Sequence, residues 1–189
     1  MTKLILYHGT TRAAAEKIEK DGFKPDIKYN WNVKSKPGFV YLSEAYAPFY
    51  ALAAKSESKY RALVKVEVDT DNLYPEDDYL MRGLGHPVYT QKQLNKVNFE
   101  EYKHCWPDSL KYLGNAAVKP NNAKVLGIKV FNAQKLILVC DPVIVPMNFK
   151  IMGEYYKKLT EWIFEGNTPE KFTFMDFMNF QQPALVSEK

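Results

Sequence analysis

Cysteine is nearly absent from this sequence of 189 residues: Cys105 and Cys140 are the only two, and they lack metal-ligand spacing. Neither a disulfide framework nor a zinc site is expected on that count. No apolar run approaches the roughly 18 residues that a membrane-spanning helix needs. Met1-Thr2-Lys3 followed by Leu4-Ile5-Leu6-Tyr7 is too short for a secretory signal, so a cytosolic location is expected, in the native cell or in a host. Also missing are a Walker glycine loop, a nucleophile elbow, internal repeats and low-complexity tracts. Charge of one sign is not concentrated either. The formal net charge is +4, and its densest cluster, Lys24 to Lys36, reads as a solvated loop rather than a phosphate-tracking stripe.

What is present suits one soluble domain. The hydrophobic fraction is 46% and the charged fraction 25%, both ordinary for a globular protein. Aromatic residues are plentiful, with 13 Tyr and 11 Phe, enough to fill a core and to line a cleft that stacks planar ligands.

Local pattern predicts the elements. Leu4–Tyr7 reads as a buried strand, and it ends in His8-Gly9-Thr10-Thr11, where glycine permits a tight turn and threonine can cap a helix. Residues 12–21 read as a helix with Ala14 and Ile18 inward, stopped by Gly22. Phe39–Leu42 is a second strand, and Ser43 is placed to cap a helix over roughly 45–56, with Pro48 in its first turn. Arg61 to Val68 alternates cleanly and is the plainest strand. Asp69 to Asp78 reads as a solvated acidic turn, because it lacks the glycine and terminal glutamate of a calcium loop. A helix is expected around 91–103, strands at 115–118, 124–131, 135–140 and 143–145, and an amphipathic helix over 151–164. Gly166-Asn167 stops that helix. His86 and His104 read as surface positions. The organisation expected is an α+β domain over residues 1–166, with 167–189 as a docking tail.

The chemistry-bearing residues lie in the first third. His8 sits at a strand end beside a glycine that exposes backbone amides, and its imidazole can bind a sugar hydroxyl. Tyr41 lies on the second strand and Tyr50 on the following helix, so two rings from adjacent elements could sandwich a heterocycle. Leu6-Tyr7-His8-Gly9-Thr10-Thr11, a helix, Gly22-Phe23 and then Gly38-Phe39-Val40-Tyr41-Leu42-Ser43 together resemble the ADP-ribosyltransferase superfamily over residues 4–55. The resemblance is to the branch that carries His, Tyr and Glu on successive core strands. It implies two roughly perpendicular β-sheets packed around a cleft, with His8 and Tyr41 on neighbouring strands facing one pocket. It further implies NAD as co-substrate: His8 on the adenosine ribose, Gly9 on the nicotinamide carboxamide with Thr10 beside it, Tyr41 and Tyr50 flanking the nicotinamide ring, and Ser43 on the carboxamide oxygen. Lysines of the 24–37 loop would suit the pyrophosphate.

The same resemblance calls for a carboxylate near the start of a strand in the second half. Cleavage of the nicotinamide–ribose bond builds positive charge on the sugar, which a carboxylate stabilises. The segment His104 to Val118 contains no glutamate. Asn115 stands where the family glutamate aligns, and Asp108 is the nearest acid, so these two are the catalytic candidates, with Glu100 or Glu101 folding in as a further option. The implied activity is transfer of ADP-ribose to a macromolecular acceptor, protein or nucleic acid, with an effector, toxin or phage-encoded role. RNA 2′-phosphotransferase chemistry shares the opening His-Gly-Thr, and the missing glutamate leaves a non-catalytic NAD- or ADP-ribose-binding module as the third option. No membrane partner is expected.

Overall fold

In the computed structural model, which describes residues 2–24, 35–83, 91–133 and 149–166, the chain order is β1 (Lys3–Thr11), α1 (Arg12–Asp21), β2 (Val40–Ser43), α2 (Ala47–Ala53), β3 (Tyr60–Asp69), β4 (Leu73–Pro75), α3 (Gln91–Lys96), α4 (Trp106–Leu113), β5 (Asn115–Val118), β6 (Lys124–Asn132) and α5 (Phe149–Phe164). The fold is mixed α+β. Its strands form one antiparallel sheet in the order β4-β5-β2-β1-β3-β6. The expected strands at 135–140 and 143–145, His86, Cys140 and the 167–189 tail lie outside the described residues.

Both faces of this sheet are covered. Ala62, Val64, Val66 and Val68 of β3 join Leu6, Val40, Leu42, Ala116 and Val118 on one face, beneath Ala15 and Ile18 of α1. Ala15, rather than the expected Ala14, is the fully buried partner of Ile18, because residues three apart share a helix face. Thr11 caps α1 by accepting from the Ala14 amide at 3.2 Å, and Gly22 closes it at φ 71°, a conformation that favours glycine. On the opposite face, Leu63 packs with α2 and α5 through Ala47, Ala51, Tyr155, Tyr156 and Leu159. A third cluster, Tyr74, Leu80, Leu94, Val97, Phe99 and Ala117, fills the β4–β5 end. No helix of the described residues is long and apolar enough to cross a membrane.

The sheet has a seam. β1 pairs with β3 along its whole length, from Lys3–Asp69 to Thr11–Arg61, whereas β1 and β2 pair only at Tyr7–Ser43. Two three-stranded halves, β4-β5-β2 and β1-β3-β6, therefore meet at a single residue pair. The expectation of two separate packed sheets is corrected for the described residues: that single pair joins both halves into one sheet.

Gly9 does not turn the chain as expected: β1 runs through it to Thr11, with Gly9 opposite Leu63, and the packing of helix α2 on β1 explains the glycine instead. A Cβ at Gly9 would stand 1.8 Å from the Ala47 carbonyl oxygen and 2.6 Å from the Ala51 amide nitrogen. Backbone cannot yield as a flexible side chain can. Gly9→Ala is expected to destabilise the fold by about 1–3 kcal/mol or more through overpacking, read as a lowered urea midpoint. An unchanged midpoint would refute the close packing of α2 on β1.

Candidate functional site

The strand period of two decides which predicted residues meet. Tyr7 opposes Ser43, so His8 falls across from Leu42 and points to the other face from Tyr41. His8 lies opposite Val64, on the α1 face, and its ring meets Phe23 edge-on at 5.4 Å. Tyr41 lies opposite Ala117, on the far face. The two rings do not share a pocket, which corrects the expectation. They are nevertheless joined: His8 Nδ1 lies 3.0 Å from the Tyr41 carbonyl oxygen. A carbonyl only accepts, so Nδ1 carries the proton. Burial holds the His8 pKa below its ordinary value, partly opposed by this bond. The neutral ring then has Nε2 as an acceptor, suited to a hydroxyl donor.

A second group assembles on the far face. Ser43 of β2 opposes Asn115, the first residue of β5. Asn115 is 6% exposed, its Nδ2 donates to the Tyr50 hydroxyl on α2, and its Oδ1 is buried without a hydrogen-bond partner. A buried amide oxygen left in that state is costly, and a ligand donor would relieve it. Tyr7, Ser43 and Asn115 form one transverse row across β1, β2 and β5. Pro75 of β4 opposes Ala116, so Glu76, the next residue, falls beside Asn115 at the end of that row. The Glu76 amide donates to Ser109 Oγ at 2.9 Å, and Ser109 Oγ donates to the Asn115 carbonyl at 2.8 Å. Burial, and after it the Glu76 charge, raises the Tyr50 pKa far above its ordinary value.

The acidic turn is partly interior. Asp77, expected in solvent, is 8% exposed because β4 folds its flank onto the sheet. It accepts from the Tyr41 hydroxyl and from the Lys36 amide at 3.3 Å. The Lys36 ammonium is committed to helix α3 and the residue beyond it, donating to the carbonyls of Leu94 and Asn95 at 3.2 Å and of Val97 at 2.6 Å. This removes it from the lysines expected at a pyrophosphate; residues 25–34 of that loop lie outside the described residues.

Other candidates find structural work. Ser43 does not cap the helix as expected: α2 spans only Ala47–Ala53 and its N-cap is Tyr46, without a side-chain cap bond, while Ser43 Oγ accepts from the Ala45 and Tyr46 amides at 3.2 and 2.7 Å and donates to the Gly114 carbonyl at 2.9 Å. Thr10 is buried opposite Ala62. Asp108 does not sit in a loop that turns inward. It lies in the first turn of α4 with its side chain exposed, while its neighbour Ser109 takes the buried position. Glu100 is paired at the surface with Lys119 at 2.7 Å. A shallow groove lined by Thr70, Asp71, Glu100, Lys103, His104 and Trp106 shares none of the residues around Asn115. Among the described residues, no three His, Cys, Asp or Glu side chains are grouped to hold a metal ion. Sequence reasoning missed Glu76 and Asp77. The apolar triplet Leu73-Tyr74-Pro75 just before them was the available signal for a strand. Comparison with protein-family models and with curated proteins gives no match.

Asp77 yields a pH prediction. Burial raises its pKa to about 6, against hydrogen bonds that pull it down. A carboxyl with its folded pKa raised contributes stability below its unfolded pKa and loses it as pH rises through 6. Stability is expected to fall by about 2–3 kcal/mol between pH 4 and pH 7 from this group. Urea unfolding of Asp77→Asn should lack that fall; an identical pH profile in the variant would contradict the assignment.

Proposed function

We propose that the chain binds NAD at the seam of the sheet and transfers ADP-ribose to a macromolecular acceptor, protein or nucleic acid, releasing nicotinamide. One observation carries the reading: segments far apart in sequence converge on three adjacent strands. His8 of β1 reaches the Tyr41 carbonyl of β2, and Asn115 of β5 reaches Tyr50 of α2. Those are the positions that the ADP-ribosyltransferase resemblance picks out, and an ADP-ribosyltransferase-like fold is the finer architecture proposed here. An extended dinucleotide has two riboses and two flat rings. The dinucleotide is proposed to lie around the end of the β1–β2 pairing, with its adenosine ribose at the His8 acceptor and its nicotinamide end at Tyr50 and Asn115. The nicotinamide ribose belongs with Asn115, whose Oδ1 accepts a hydrogen bond from a ribose hydroxyl. The proposed setting is the cytoplasm, including that of a host cell for an effector.

Two alternatives are set apart by observations. RNA 2′-phosphotransfer needs free cations around a phosphate, and Lys36 is occupied by three carbonyls. A non-catalytic NAD- or ADP-ribose-binding module is favoured by the neutral Asn115 in the strand position. Calorimetric titration with NAD, followed by measurement of nicotinamide release, separates the readings. Saturable binding with release supports the transferase, binding without release supports the module, and no binding refutes both. His8→Ala is expected to weaken NAD binding by about 1–3 kcal/mol, roughly 5- to 150-fold. Unchanged affinity in a folded variant would remove His8 from the site.

A further inference from the structure

The reaction proposed above needs negative charge beside the ribose, and Asn115 cannot provide it. The carboxylate nearest in register comes from a different strand. Pro75 and Ala116 are opposed, so the chain leaves β4 with Glu76 beside Asn115. Its backbone is fixed there by Ser109, which binds the Glu76 amide and the Asn115 carbonyl together. One Glu76 carboxylate oxygen is buried. The register places Glu76 at the end of the row of Ser43 and Asn115, and its charge adds to burial in raising the pKa of both the Tyr50 and Tyr41 hydroxyls. Asp77, the next residue, is turned to Tyr41 and the Lys36 amide, and Asp108 is exposed on α4.

We propose that Glu76, one residue beyond β4, stabilises the positive charge developing on the NAD ribose, in place of a carboxylate at the Asn115 position. This inference rests on the NAD reading of the site. In the step, the bond from the ribose anomeric carbon to the nicotinamide nitrogen breaks. Its electron pair returns to the pyridinium ring, and neutral nicotinamide leaves. A lone pair of the acceptor, or of water, forms the new bond to the anomeric carbon, and the acceptor proton passes to solvent. Nothing is oxidised or reduced. Glu76 holds the charge between the two events, while Asn115 orients a ribose hydroxyl through Oδ1.

The test uses the full chain with NAD, measuring nicotinamide release, calorimetric affinity and melting temperature. Glu76→Gln keeps the shape and removes the charge. It is expected to bind NAD within about threefold of the unmodified protein and to lose release by about 10²- to 10³-fold. Adding Asn115→Glu to that variant returns a carboxylate to the same row and is expected to recover release at least partly. Release at the unmodified rate in Glu76→Gln overturns the proposal, as does loss of NAD binding in that variant or no recovery in the double variant. If Glu76→Gln does not fold, Glu76→Asp replaces it, with a clear loss of release expected and full release overturning. NAD binding without any release by the unmodified protein ends the role of Glu76 and leaves the NAD site standing; no NAD binding ends both.

Discussion

The His8 imidazole holds the two halves of the sheet together past the point where their backbones part. A ladder of main-chain hydrogen bonds normally joins adjacent strands, but β1 and β2 share only the Tyr7–Ser43 pair. Beyond it, the bond from Nδ1 to the Tyr41 carbonyl spans the seam. That bond fixes the ring tautomer and so fixes what the other nitrogen can do. It also satisfies a carbonyl that the interrupted ladder would otherwise leave exposed. Gly9 completes the arrangement, since only a residue without Cβ lets α2 sit on the strand there.

The far face is built on different physics. Ser43, Asn115, Tyr50, Ser109 and Asp77 are polar groups packed among apolar clusters, and each placement depends on hydrogen bonds that replace water. Ser43 and Ser109 are tied into main-chain groups at both ends of their bonding capacity. Asn115 keeps an unpartnered oxygen, and Asp77 has its carboxylate pushed toward the neutral form. Serines that brace and an amide oxygen that stays unsatisfied thus sit side by side in one cluster. The surface ion pairs, such as Lys157–Glu44 and Lys3–Glu67, contribute little by comparison.

Much of the frame was legible in the residues. The Thr11 cap, the Gly22 stop and the alternation of Arg61 to Val68 are local signals, and α1, β2, β3, β5 and β6 fall where those signals put them. Asn115 was legible as the start of a strand. Pairing was not, because register depends on partners distant in sequence: whether Tyr7 or His8 opposes Ser43 decides which face His8 takes, and no local pattern encodes it. The short strand Leu73–Pro75 was hidden by its acidic neighbours, whose charges read as solvent-facing. The charge of Asp108 was visible in sequence, while the orientation of α4 that leaves it exposed was not. The family resemblance over residues 4–55 reached His8, Tyr41 and Tyr50 but could not reach Glu76, which lies outside it.

His8 stands at the seam as a neutral ring with its proton on Nδ1, and the proposed NAD site puts a ligand hydroxyl on Nε2. Nitrogen-15 NMR of the histidine side chains reads this directly. Only three histidines are present, so His8→Ala assigns the signal. The expected result is the Nδ1–H tautomer at neutral pH, a titration midpoint below the ordinary value, and a shift of the Nε2 resonance when NAD is added. A proton found on Nε2, or an Nε2 resonance unmoved by saturating NAD, would contradict it.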